Sequence, residues 1–129
     1  MATLLRPKVL PEVLGAANVD GIQTTMLVTH NGNLMGYSGV HSQQEAIKIG
    51  AIACNVWHSH STPADTFADA GTLRCLIIDL ELGRLVVSPT TDHLVVCHAA
   101  PDAPIGMVKA KAQAVALHLQ QPLSQITRG

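Results

Sequence analysis

Cysteine and histidine are the residues with which this chain could do chemistry, and several of them fall close together. Cys54 and His58 stand four apart, His60 follows two residues later, and Cys97 is joined directly to His98. A structural zinc site ordinarily draws paired ligands, C-x2-C or H-x3-H, from two places in the chain. Here one Cys-x3-His stands alone, and neighbours in a strand such as Cys97 and His98 point to opposite faces. The spacing fits a buried thiol beside a helix-end histidine, whose charged form would suit the C-terminal dipole. No metal and no cofactor are expected. Asp79 and Asp92 fall on a strand and in a turn, with no base or nucleophile beside them in sequence. Neither phosphate-binding glycine motif, G-x-x-x-x-G-K-[ST] or G-x-G-x-x-G, occurs. Gly32, Gly36 and Gly39 have the spacing of a hairpin and a helix entry. A catalytic reading therefore finds no assembled site, and the chain is not expected to be an enzyme.

The elements that must position these residues are marked more clearly than any site. Ser42 with Glu45 forms an S-x-x-E capping box, which opens a helix over residues 42–60. On this helix Gln44, Lys48, Asn55 and Ser59 make one narrow polar stripe, and almost everything else is apolar or small. A helix covering one sheet needs an apolar stripe of roughly 100°, and this one spans about twice that. Two readings fit: a central core helix buried within its own chain, or a helix with one side on its sheet and the other on a partner. Gly50, Ala46 and Ala53 would permit a close approach there. Trp57, the single tryptophan, suits a core position as well as an interface anchor.

Ahead of this helix, residues 4–18 read as a short helix that kinks near Pro11 or starts there, because a proline ring clashes with the carbonyl four residues back. Strands are expected over 22–30 and 33–39, joined by Asn31-Gly32 in a turn requiring positive φ at both positions. Residues 61–71, rich in Pro, Asp, Ala and Gly, read as a loop. Three more strands, 72–81, 84–89 and 93–99, are joined at Leu82-Gly83 and Thr90-Thr91. Leu73, Cys75 and Ile77 fall on one face, and Leu76, Ile78 and Leu80 on the other, so these strands need cover on both faces. The last helix opens around Pro104 with Asp102 as cap, lines one side with Val108, Ala112, Val115 and Leu119, and stops at Pro122. Lys109, Lys111 and Gln113 read as a solvated face or a partner contact. The order α-β-β-α-β-β-β-α thus predicts five antiparallel strands between two helix layers, the terminal helices on one face and the central helix alone on the other. The outer side of that helix is then bare in a monomer.

Composition agrees. A chain of 129 residues makes one domain with a real core. It is 47% hydrophobic and only 13% charged, and its mean hydropathy is positive, which implies apolar surface to be hidden. A net charge of −1 and 2% aromatic residues leave neither the basic stripe nor the stacking platform that nucleic acid requires. There is no transmembrane run or signal-peptide pattern, and Ala2 rather than glycine follows Met1, so membrane association would be indirect. Cys54, Cys75 and Cys97 lack paired spacing and read as reduced core residues of a cytosolic protein.

Taken together, the strings RPKVL (6–10), VLGAAN (13–18), GIQTTMLV (21–28), GNLMGYSG (32–39), IACNVW (52–57), MVKAKAQA (107–114) and QPLSQI (121–126) resemble the roadblock/dynein-light-chain superfamily. Within it they look most like the smaller roadblock subunits of Ragulator, the late endosomal/lysosomal adaptor of MAP kinase and TOR signalling. The likeness spans nearly the whole chain, with departures in residues 58–71 and at Pro11. It implies a single roadblock domain over 1–129, an α/β sandwich without enzymatic activity. Its central helix, and the first strand after the loop, would pair with a second roadblock subunit so that one sheet runs across the dimer. Carried onto this sequence, that face comprises Ala46, Ile49, Gly50, Ala53, Val56 and Trp57 from the helix and Thr72, Arg74, Cys75 and Leu76 from the strand. An obligate interface of this type buries on the order of 2,000 Å² or more. The likeness further implies a lipidated anchor subunit and other Ragulator subunits, Rag GTPases and a MAP kinase module as partners on the cytoplasmic face of late endosomes or lysosomes. A homodimeric roadblock regulator acting directly on a small GTPase is the alternative.

Overall fold

The computed structural model describes residues 9–61 and 72–128, with side chains described up to residue 120. The elements follow the expected order: α1 (Val9–Gly15), β1 (Ile22–Thr29), β2 (Leu34–Gly39), α2 (Gln43–Ser61), β3 (Leu76–Leu80), β4 (Gly83–Pro89), β5 (His93–Ala99) and α3 (Ile105–Arg128). All strands pair antiparallel in one sheet of order β2-β1-β5-β4-β3. β5 is central and buried along nearly its whole length, as strands with apolar residues in both alternation classes require. β2 and β3 are the two edges.

The alternation along β1, β4 and β5 divides the core into two layers. Leu27, Val86, Val95 and Cys97 face one side, where Leu10 and Leu14 of α1 meet Val108, Ala112, Val115 and Leu119 of α3. Met26, Val28, Leu85, Val87, Leu94 and Val96 face the other side, under Ala46, Ala53, Cys54 and Trp57 of α2. The terminal helices therefore share one face and α2 covers the other alone.

Several local expectations are corrected. α1 runs through Pro11 without a break from Val9, because in a first turn the missing N–H has no intrahelical acceptor to lose. The β1–β2 turn has positive φ at Gly32 but not at Asn31. Gly32 N–H donates to Thr29 O (2.9 Å) and Thr29 N–H to Asn33 O (2.9 Å). This is a three-residue loop, His30-Asn31-Gly32, in which only the last position needs glycine. Glu81 and Leu82, not Leu82 and Gly83, make the β3–β4 turn, since Leu80 pairs with Gly83. β3 starts at Leu76, so Thr72, Arg74 and Cys75 precede the ladder rather than belong to it. The carbonyl of Pro104 accepts the first bonds of α3, from Met107 N–H (3.0 Å) and Val108 N–H (3.1 Å), so Pro104 and not Asp102 occupies the capping position. α3 also continues past Pro122 to Arg128; a proline removes one hydrogen bond, which a long helix can forgo without ending. The loop expected over 62–71 lies outside the described residues.

Candidate functional site: an open sheet edge and the outer flank of α2

The capping box forms as written. Ser42 N–H donates to Glu45 Oε1 (2.9 Å), and Glu45 N–H to Ser42 Oγ (3.2 Å). These bonds from Ser42 hold the Glu45 carboxyl below its ordinary value. With its start set, α2 turns Ala46, Gly50, Ala53 and Trp57 toward its own sheet, at i, i+4, i+7 and i+11. Ala46 and Ala53 have no exposed surface and Trp57 retains 5%. A Cβ on Gly50 would stand 3.0 Å from Val28 Cγ2. The close approach that the small residues permit is thus used by the chain's own sheet. These four residues therefore face the chain's own sheet and have little surface left to offer a partner.

Ile49 and Val56 stay half-buried, and Ile52, which shares their flank at i, i+3, i+7, is 47% exposed. On the opposite flank Cys54 and His58 look toward the β1–β2 loop. Cys54 S–H donates to His30 O (3.1 Å), and His58 Nε2–H donates to the same carbonyl (2.7 Å). The Cys-x3-His spacing is therefore spent on a backbone acceptor. Cys97 and His98 lie on opposite faces of β5, Cys97 in the α1–α3 layer and His98 beside His41. Among the described residues, no three His, Cys, Asp or Glu side chains converge on a metal position. Burial raises all three thiols, and it pushes Cys97 up to about 11 despite its hydrogen bond with Thr25. The thiolates a nucleophile would need are thus suppressed near neutral pH. Asp79 pairs with Arg84 across β3 and β4 at 3.5 Å.

β3 gathers what α2 leaves open. Among the described residues it pairs with β4 on one side only, so its other side presents backbone groups that no described strand pairs. Leu76 and Ile78 pack against the α2 layer, yet neither is fully buried. Ile77 is 46% and Leu80 41% exposed. Cys75, just ahead of the strand, packs toward the opposite layer, while Thr72 and Arg74 are exposed. Of the expected seam, Ile49, Val56, Thr72, Arg74, Cys75 and Leu76 retain surface. Ile52, Ile77 and Leu80 are exposed and Ile78 is half-buried. Apolarity in both alternation classes of β3 was the sequence signal for these last three. No described helix is long and apolar enough to cross a membrane.

Comparison with known proteins matches the geometry. The model of the Roadblock/LC7 domain fits residues 12–98. The chain is 30% identical over 128 residues to the Ragulator complex protein LAMTOR2 homolog of Caenorhabditis elegans, covering 96% of this chain and 97% of that protein. Its fold is similar to the Roadblock/LC7 domain from Streptomyces avermitilis (TM-score 0.79, 15% identity, covering 88% of this chain and 97% of that one). It is likewise similar to Myxococcus xanthus MglB (TM-score 0.75, 12% identity, 90% and 88%). With its element order, two-layer core and open β3 edge, the chain belongs to the Roadblock/LC7 domain family.

Proposed function

We propose that this protein is a non-catalytic scaffold subunit that pairs with a second roadblock-domain subunit through the free edge of β3 and the outer flank of α2. The observation that carries this reading is the coincidence of an unpaired strand with exposed Ile77 and Leu80 and a covering helix with exposed Ile52. Such an edge invites strand addition from a partner, and exposed apolar side chains on both elements suit an interaction face. Main-chain pairing by β3 would extend the sheet across the dimer, while Ile49, Ile52 and Val56 supply apolar contact. Within α2 the division is then inner residues for the fold and flanking isoleucines for the partner.

The 30% identity to the Ragulator LAMTOR2 homolog over nearly the full length of both chains supports a Ragulator-like complex. There the pair would be held by a lipidated anchor subunit on the cytoplasmic face of late endosomes or lysosomes. It would recruit Rag GTPases and TOR complex 1 signalling, together with a MAP kinase module. Affinity purification of the tagged chain with identification of co-purifying subunits tests this. A second roadblock subunit and an acylated anchor protein are the expected companions. A stable homodimer that binds a small GTPase directly, with neither companion, would replace this reading with that of a homodimeric regulator.

A further inference from the structure

We propose that His41 and His98 form a proton-operated latch, which holds the N-terminal end of α2 on the sheet while the His98 ring is neutral and releases it in mildly acidic solution. His41 lies in the connector between β2 and α2, immediately before the Ser42 cap, and His98 lies on β5. Their ring centroids are 4.5 Å apart in an edge-to-face arrangement at 69°. Thr24, which pairs with His98 across β1 and β5, joins the two. Its hydroxyl is hydrogen-bonded to His41 Nδ1 and accepts the His41 backbone N–H at 3.4 Å. The far side of the His98 ring is closed by backbone: a Cβ on Gly83 would stand 2.9 Å from Cε1 and 3.0 Å from Nε2. His98 Nδ1 is buried with no hydrogen-bond partner.

A proton on His98 would therefore sit on a buried ring with an unanswered nitrogen, against a second imidazole. The charged and titratable groups around the pair do not offset this. From α2, Glu45 acts on His41, but the positive end of the helix dipole lies there too. From β4, the residue next to Gly83 is Arg84, itself a cation and engaged by Asp79. β1 contributes only the neutral Thr24, and the connector only His41. Burial first, and then His41, hold His98 below the ordinary histidine value.

The open form, whose histidine titrates near 6.5, binds more protons than the latched form as pH falls. Opening therefore rises below about pH 6.5 and levels once the latched ring itself is charged. For one ring that stays neutral while latched, the opening equilibrium grows up to about tenfold between pH 7.5 and 5.5. The consequence for partner binding, a weaker seam in acid, rests on the pairing proposed above.

Amide hydrogen exchange of the full isolated chain over the first turns of α2, corrected for intrinsic rates, reads the latch without any partner. Wild type should open more at pH 5.5 than at 7.5, by up to about tenfold. His98→Phe keeps an aromatic ring in place but cannot take a proton, and it should lose that dependence. His93→Phe, at the other end of β5, should keep it. Equal opening of wild type at both pH values, or an undiminished dependence in His98→Phe, overturns the latch. Should His98→Phe not fold, ring titration of wild-type His98 by nuclear magnetic resonance decides: a midpoint below 6.5 supports the latch, and one at or above 6.5 overturns it. Failure to bind any roadblock subunit would count against the proposed pairing and leave the exchange result standing.

Discussion

Gly50→Leu should damage the fold of the isolated chain rather than its pairing with a partner. The Cβ position at residue 50 lies 3.0 Å from Val28 Cγ2 and 3.8 Å from Cγ1, and Val28 has no exposed surface. Gly50→Ala sets a helix-propensity gain of about 1 kcal/mol against a contact relieved by a shift of a few tenths of an ångström, so its net effect should be small. Leucine drives three further carbons into a filled layer, where overpacking costs about 1–3 kcal/mol. With a urea slope of about 2 kcal/mol per M, a 2 kcal/mol loss lowers the unfolding midpoint by about 1 M. Trp57, the only tryptophan, lies in the same layer, so its fluorescence follows the transition directly. Ile52→Asp, on the outer flank, should change stability by less than about 0.5 kcal/mol yet abolish binding to a second roadblock subunit. An unchanged midpoint for Gly50→Leu, with loss of partner binding instead, would refute the orientation of α2 and return Gly50 to the seam.

Other expectations follow from the two core layers. Trp57→Ala should cost about 3–5 kcal/mol, measured by calorimetry because the fluorophore is lost. Burial lowers both His93 and His98 relative to their unfolded values. Histidines so depressed contribute stability that is fully present above about pH 6.5 and lost as pH falls from there toward their folded values. Denaturation midpoints should therefore fall between pH 7.5 and 5.5, and a flat profile would contradict the burial of these rings. Cys97 should resist a thiol reagent at pH 8 until the chain unfolds, because the pocket both hides it and keeps it protonated; rapid labelling in the native state would count against its placement.

What the sequence made legible, and what it did not, divides by the range of the interaction. The Ser42–Glu45 box is a local exchange of two hydrogen bonds, and it formed where the two residue types stood. Apolar residues in both alternation classes of β4 and β5 required two covering layers, and periodicity alone could state that. The direction of α2 was different. Ala46, Gly50 and Ala53 permit any surface to approach closely, and only the docked sheet decides which surface does. The unusually wide apolar arc thus turned out to be an inner face of small residues plus a flank carrying Ile49, Ile52 and Val56. The turn at Gly32 shows the same limit on a smaller scale. Asn-Gly announces a reversal, but the register against β1 set a three-residue loop and placed the positive φ at the glycine alone. A proline weakens a helix locally, so Pro122 signals a stop in the sequence, whereas α3 continues to Arg128.

The pairing of β3 is tested most directly by amide hydrogen exchange over Leu76–Leu80, in the chain alone and in its complex with a second roadblock subunit. In the chain alone, the amides that face away from β4 should exchange freely. In the complex they should be slowed by orders of magnitude, together with reduced accessibility of Ile52 on α2. A stable complex in which these amides exchange as fast as in the free chain would contradict the shared sheet and place the seam elsewhere on the surface.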